Sequence, residues 1–197
     1  SPVLGNADLR ERLAARTAAL YGGRVEARQM ALTSGCNQAF CAVIATLAAP
    51  GDSVILPTPW YFNHVMWLSM NGIEALPLPT GPGLQPDPEQ AAALITPRTR
   101  AIALVTPNNP GGVEYSAETL DAFAALADRH GIALIVDETY RDFDSRHSAL
   151  TGGRPHELFT EPDWDDTLIQ LYSFSKAYRL TGHRVGAIVA STARLAE

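Results

Sequence analysis

The run Ile132-Ala133-Leu134-Ile135-Val136 contains no polar residue, opens directly after Gly131 and stops at Asp137. A strand sends successive side chains to opposite faces, so a strand that is apolar on both must be covered on both. Ala101–Val105 has the same character and breaks at Pro107-Asn108-Asn109-Pro110-Gly111-Gly112; Leu168–Tyr172 is similar and ends at Ser173. Helical spacings separate these runs. Ser116 is placed to cap a helix that reaches His130 and stops at Gly131, and Asn37–Ala49 is a helical stretch closed by Pro50-Gly51. Buried strands joined by helical crossovers imply an α/β fold: a three-layer sandwich whose mostly parallel central sheet carries helices on both faces.

Other segments fit the same scheme. Asn6 can cap a helix with Leu9, Leu13 and Leu20 on one face, and further helices are expected around Phe62–Met70 and over Glu89–Ile95. Met30–Thr33, Ser53–Leu56, Ile73–Leu78 and Ala187–Ala190 read as strands, and the proline- and glycine-rich stretch 79–88 as a surface loop. A chain of 197 residues, 46% hydrophobic, can bury one sizeable core, so residues 1–197 are expected to form one domain. The chain opens at Ser1 without Met and closes where another helix begins, which suggests a segment of a longer protein.

Several classes are disfavoured. The formal charge is -6 with no basic cluster, so no nucleic-acid partner is expected. The apolar runs are far shorter than a membrane span. Cys36 and Cys41 suggest neither a disulfide framework nor a zinc site, and a reducing cytoplasm fits them best. The histidines are dispersed, so solvated or capping roles and no metal site are expected. No Gly-x-Ser-x-Gly, Walker or Gly-x-Gly-x-x-Gly pattern occurs.

In open α/β sheets ligands bind outside the carboxyl ends of the strands, where Asn109, Asp137 and Ser173 fall. Lys176 follows in Ser173-Phe174-Ser175-Lys176. Most lysines are simply solvated, but one in such a crevice can be desolvated and flanked by cations, which frees its amine for imine formation. Arg184, within Gly182-His183-Arg184-Val185-Gly186, suits a bidentate grip on phosphate. Asp137 is either a loop cap or the acceptor for a protonated heteroaromatic nitrogen, and Tyr140 can donate to a phenolate. Cys36 and Asn37 begin a helix after Gly35, where free N–H groups and the helix dipole bind phosphate. Asp163-Trp164-Asp165-Asp166 reads as a solvated loop.

In order along the chain, Thr33-Ser34-Gly35-Cys36-Asn37-Gln38-Ala39, Pro57-Thr58-Pro59-Trp60-Tyr61, Pro107 to Gly112, Asp137-Glu138-Thr139-Tyr140, and Ser173-Phe174-Ser175-Lys176 through Arg184-Val185-Gly186 resemble the class I/II aminotransferases of pyridoxal 5′-phosphate (PLP) fold type I. The resemblance covers nearly the whole chain and implies its PLP-binding large domain. It implies exchange of an amino group between an amino acid and a 2-oxo acid through a Schiff base on Lys176, which then moves the α-proton. Asp137 would pair with the pyridinium nitrogen and keep the ring an electron sink. Tyr140 and Asn109 would bond the 3-oxygen, Tyr61 would stack on the ring, and the Cys36 and Asn37 backbone, Ser173 and Arg184 would hold the phosphate. Gly111 stands where the family usually has Thr, a position expected to shape the loop. The resemblance also implies a homodimer and a substrate-binding arginine in a small domain beyond Glu197. A PLP lyase or decarboxylase, or a PLP-binding sensor domain of a transcription regulator, are the alternatives on this scaffold.

Overall fold

The side chain of Asn6 accepts the N–H of Leu9 at 2.9 Å and starts α1 (Ala7–Tyr21), which Gly22 ends in the left-handed conformation. Ser116 does the same for α5 (Ala117–His130), accepting from Thr119 at 3.1 Å, and Gly131 closes it at φ 61°. The computed structural model describes residues 2–146 and 153–196. Between these helices lie β1 (Met30–Thr33), α2 (Cys36–Leu47), β2 (Ser53–Thr58), α3 (Phe62–Met70), β3 (Glu74–Pro79), α4 (Pro88–Leu94) and β4 (Thr99–Val105). After α5 come β5 (Ala133–Asp137), the single-turn α6 (Trp164–Thr167), β6 (Leu168–Ser173) and β7 (Gly186–Val189).

The strands form one seven-stranded sheet in the order β1-β7-β6-β5-β4-β2-β3. β2, β3, β4, β5 and β6 pair in parallel, whereas β7 is antiparallel to both β1 and β6. β7 alone therefore runs against the rest. Its amino end, not its carboxyl end, lies at the edge where the other strands finish.

Each face of the sheet is covered, as its strands require. Leu134 and Val136 of β5 join Leu13, Leu120 and Phe123 in a core built with α1 and α5. The alternate residues Ala133 and Ile135 pack with Phe40, Ile44 and Leu68 of α2 and α3. The expected three layers are thus present. Several bounds differ: β2 continues through Pro57, and β3 contains Pro77 and Pro79. Proline is tolerated there because β3 is an edge strand paired only with β2.

Two expectations fail. Asp163-Trp164-Asp165-Asp166 is solvated only at Asp163 and Asp166: Trp164 is buried in α6, its indole donates to the Arg24 carbonyl at 3.2 Å, and Asp165 accepts from Gln29 at 2.9 Å. Two histidines, His64 and His156, are fully buried rather than solvated. The apolar ring bodies allow burial because a carboxylate meets each polar tip.

Candidate active site

A cavity of about 200 Å³ opens at the carboxyl edge of the sheet. Every site residue singled out in the sequence lines it: Cys36, Asn37, Tyr61, Asn109, Asp137, Tyr140, Ser173, Lys176 and Arg184. They arrive on separate elements. Cys36 opens α2 behind β1, Tyr61 precedes α3 behind β2, and Asn109 follows β4. Asp137 and Ser173 are the last residues of β5 and β6. Arg184 reaches the same edge only because β7 reverses direction and starts there.

Burial is graded across the site. Asp137, Ser173 and Cys36 are buried, while Asn37, Lys176 and Arg184 sit on the open side. Asp137 is the best-held group. Its Oδ1 accepts the Thr139 N–H at 3.0 Å and the Cys36 S–H at 3.5 Å, and His64 Nε2 lies 3.2 Å from Oδ2. Burial pushes the carboxyl pKa up, but His64 and Thr139 outweigh it and hold Asp137 below the ordinary carboxylate range. His64 is itself stacked on Phe40, with ring centroids 3.8 Å apart and planes at 13°. The sequence reading missed His64. It stands three residues beyond Tyr61, which caps α3, and the two rings meet edge to face with centroids 5.1 Å apart.

The side of the cavity beside α2 is built mainly from backbone and Arg184. α2 starts without a side-chain cap and with no acid in its first turn, so its dipole faces the cavity uncompensated. Gly35 precedes it at φ 86°, and a Cβ there would overlap the Arg184 guanidinium. Arg184 donates to the Thr181 carbonyl at 3.1 Å and to the Ser175 hydroxyl at 3.4 Å. The Ser173 hydroxyl accepts from the Ser175 N–H at 3.1 Å. Ser175, Thr139, Thr181 and Val105 were also overlooked as lining residues. Ser175 lies in the turn after β6, where strand alternation no longer signals which way a side chain faces.

The amine of Lys176 lies 5.5 Å from the centroid of the Tyr140 ring. Tyr61 closes the side nearest α3, its hydroxyl accepting from Asn63 at 2.9 Å and facing Asn37 Oδ1 at 3.4 Å. Burial, the largest influence, raises the Tyr61 pKa, so the phenol stays protonated. The Asn109 loop is fixed by its neighbour: Asn108 is buried, donates to the Tyr115 hydroxyl at 3.2 Å and accepts from Gly111 N at 2.8 Å. A Cβ at Gly111 would come 2.8 Å from Asn108 Oδ1 and 2.9 Å from Leu84 Cδ1, so this loop is shaped around a residue without one. Among the described residues no group of three or more His, Cys, Asp or Glu is placed to hold a metal ion, and no helix is long and apolar enough to cross a membrane.

The architecture and the sequence both have close counterparts. The chain superimposes on an aspartate aminotransferase variant from Thermus thermophilus with a TM-score of 0.89, at 29% identity over 100% of this chain and 52% of that one. It matches N-succinyldiaminopimelate aminotransferase from Mycobacterium tuberculosis equally well, at TM-score 0.89 and 28% identity, over 99% of this chain and 50% of that one. In sequence it is 36% identical to the arginine–pyruvate transaminase AruH of Pseudomonas aeruginosa, over 97% of this chain and 48% of the relative. The chain thus spans about half the length of the curated relatives it matches. The family model described as "Aminotransferase class I and II" matches residues 1–197 throughout, and the chain belongs to that family.

Proposed function

We propose that residues 1–197 form the PLP-binding large domain of an aminotransferase that moves an amino group between an amino acid and a 2-oxo acid. The observation that carries this reading is the convergence of an amine, a buried carboxylate and an anion site on one cavity. The three match the distinct chemical parts of PLP. Its phosphate fits the uncapped start of α2, the Ser173 and Ser175 hydroxyls and Arg184. Its ring nitrogen, protonated, fits Asp137, which is already ionised and buried. Asn109 and Tyr140 supply donors for the ring oxygen, and Tyr61 an aromatic face.

When bound, PLP supplies a carbonyl and an electron-withdrawing ring. Lys176 would provide the amine that this carbonyl needs and, once a substrate amine has replaced it there, its freed Nζ would take the proton from the substrate Cα and return it. Asp137 keeps the cofactor nitrogen positively charged. Arg184 and the α2 amides anchor one end, so that the ring keeps its angle to Lys176. The relatives named above are transaminases or aminotransferases, which supports group transfer over the lyase and decarboxylase readings. A homodimer in a reducing cytoplasm is the setting this reading implies, and the free Cys36 and Cys41 are compatible with it.

Borohydride reduction of the full-length, PLP-loaded protein, followed by peptide mapping, tests the assignment. The pyridoxyl label is expected on Lys176, and Lys176→Ala should lose the label and roughly 10²–10⁴-fold or more in turnover. A label on another residue would overturn it.

A further inference from the structure

Asp137 is gripped by donors of unequal strength. The Thr139 amide at 3.0 Å is part of its own turn, and His64 approaches the other oxygen from α3. The second hydrogen-bond donor, the Cys36 thiol, comes from α2, the helix whose start faces the cavity. We infer that Cys36 is a positioning residue: by donating to Asp137 Oδ1 it ties the carboxylate to the anion-binding helix and favours its charged form. The inference rests on the reading of Asp137 as partner of a protonated ring nitrogen, which needs that carboxylate ionised and aimed before the ligand arrives.

The thiol has the proton this role requires. A cysteine at a helix start beside an arginine ordinarily ionises easily. Here burial first, and the Asp137 charge second, push the Cys36 pKa well above its ordinary value. The thiol therefore remains S–H while its neighbour is an anion. The bond is also weak, at 3.5 Å from sulfur, so it orients the carboxylate without competing strongly with an incoming N–H⁺ donor. The other charged or titratable groups facing Asp137 are His64 and Tyr61 from the α3 side, Tyr140 from its own loop, and Lys176 and Arg184 across the cavity. A change confined to position 36 leaves all of them in place.

One coupling must show at both partners. If Cys36 stabilises the Asp137 anion, the anion must hold the thiol protonated. The first arm uses the full-length protein without cofactor, carrying Cys41→Ser, and follows iodoacetamide alkylation of the Cys36 peptide by mass spectrometry across pH. Asp137→Asn should lower the alkylation midpoint by about one pH unit or more, accelerating alkylation at pH 8 roughly tenfold. An unchanged midpoint would overturn the inference. The second arm titrates PLP into wild type, Cys36→Ala and Cys36→Ser from pH 8 down to pH 3, reading cofactor absorbance. Losing the donor raises the Asp137 pKa, so the acid limit of PLP binding should move to higher pH in Cys36→Ala. The hydroxyl of Cys36→Ser should restore it. Coincident acid limits in all three proteins would mean that Cys36 only fills space. Failure of wild type to bind PLP at any pH would sink the cofactor reading, while the alkylation arm would still decide the Cys36–Asp137 coupling.

Discussion

Asp137 and Glu138 are consecutive carboxylates, both almost fully buried, yet they belong to different regions. Asp137 ends β5 facing the cavity, held by Thr139, Cys36 and His64. Glu138 turns to the other side of the sheet, into a closed polar cluster under α1. There its Oε2 accepts from Gln170 Nε2 and from His156 Nε2, the latter at 3.3 Å. The Leu158 N–H donates to His156 Nδ1 at 3.3 Å, so the His156 proton sits on Nε2, and Tyr21 stacks on the ring at 4.4 Å. Arg141 lies 3.6 Å above the Tyr172 ring in the same cluster. Burial raises the pKa of both acids, and their partners override it and depress both. The difference lies in what surrounds them: Glu138 faces only protein, whereas Asp137 also faces a cavity that can accept a ligand.

The comparison makes its strongest demand on paired alanine variants of the full-length protein. Asp137→Ala should cost roughly 10²–10³-fold or more in turnover and weaken PLP binding, with the fold retained. Glu138→Ala should do the reverse. It leaves Gln170 Nε2 and His156 Nε2 buried without their shared acceptor, a loss of about 1–3 kcal/mol for each by urea unfolding, while turnover per folded molecule changes only a few-fold. Equal effects of the two variants on stability and on turnover would erase the distinction between the regions.

Part of this division was legible in the sequence. The apolar run that ends at Asp137 announces both a covered strand and a polar residue at the ligand-binding edge. The caps at Asn6, Ser116 and Gly131 acted as expected because capping depends on one side chain and a few neighbouring amides. Glu138 was not legible as a core residue. Its partners His156 and Gln170 are distant in the chain; the pairing of β5 with β6, which sets Val136 opposite Gln170, brings the latter within reach, and His156 arrives from the connection ahead of α6. Trp164 was misread for the same reason, since the flanking aspartates signal solvent while the indole finds its partner in Arg24. Local chemistry can be read from a short window; burial of a polar residue depends on what the fold sets against it.

Acid titration sharpens the comparison by a smaller effect. Each carboxylate has a folded-state pKa depressed below its ordinary value of about 4. The stability each contributes is therefore complete above that ordinary value and is lost as pH falls through the lower folded value. In thermal melts from pH 6 to 3, Asp137→Asn and Glu138→Gln should each flatten the acid limb relative to wild type. Bound PLP should separate them. A cationic donor at Asp137 depresses that carboxyl further and should carry stability to lower pH in wild type and Glu138→Gln, but not in Asp137→Asn. An identical PLP effect in both variants would mean that the ligand does not discriminate between the acids.

The smallest expected effect lies one strand away, where β6 ends in a second alternating pair. Tyr172 faces the closed cluster and donates to Asp142 Oδ2 at 2.7 Å, and Ser173 faces the cavity. Tyr172→Phe removes one hydroxyl but keeps the ring beneath Arg141. Asp142 is not orphaned by the change, because Arg16 still reaches it at 3.1 Å and the carboxylate is partly solvated. The cost should therefore stay near 1 kcal/mol in urea unfolding, at the low end for a bond to a charged acceptor, with PLP affinity and turnover unchanged. Ser173→Ala deletes a hydroxyl of similar size in the opposite direction. Its stability should stay within about 0.5 kcal/mol of wild type, because Ser175 N–H loses only an acceptor beside the open cavity, which water can replace. Its PLP affinity should fall several-fold, since the lost group lines the cavity where the phosphate is proposed to sit. If Tyr172→Phe weakened PLP binding as much as Ser173→Ala, the two faces of β6 would be mechanically joined, and the separation drawn at Asp137 and Glu138 would not extend to the neighbouring strand.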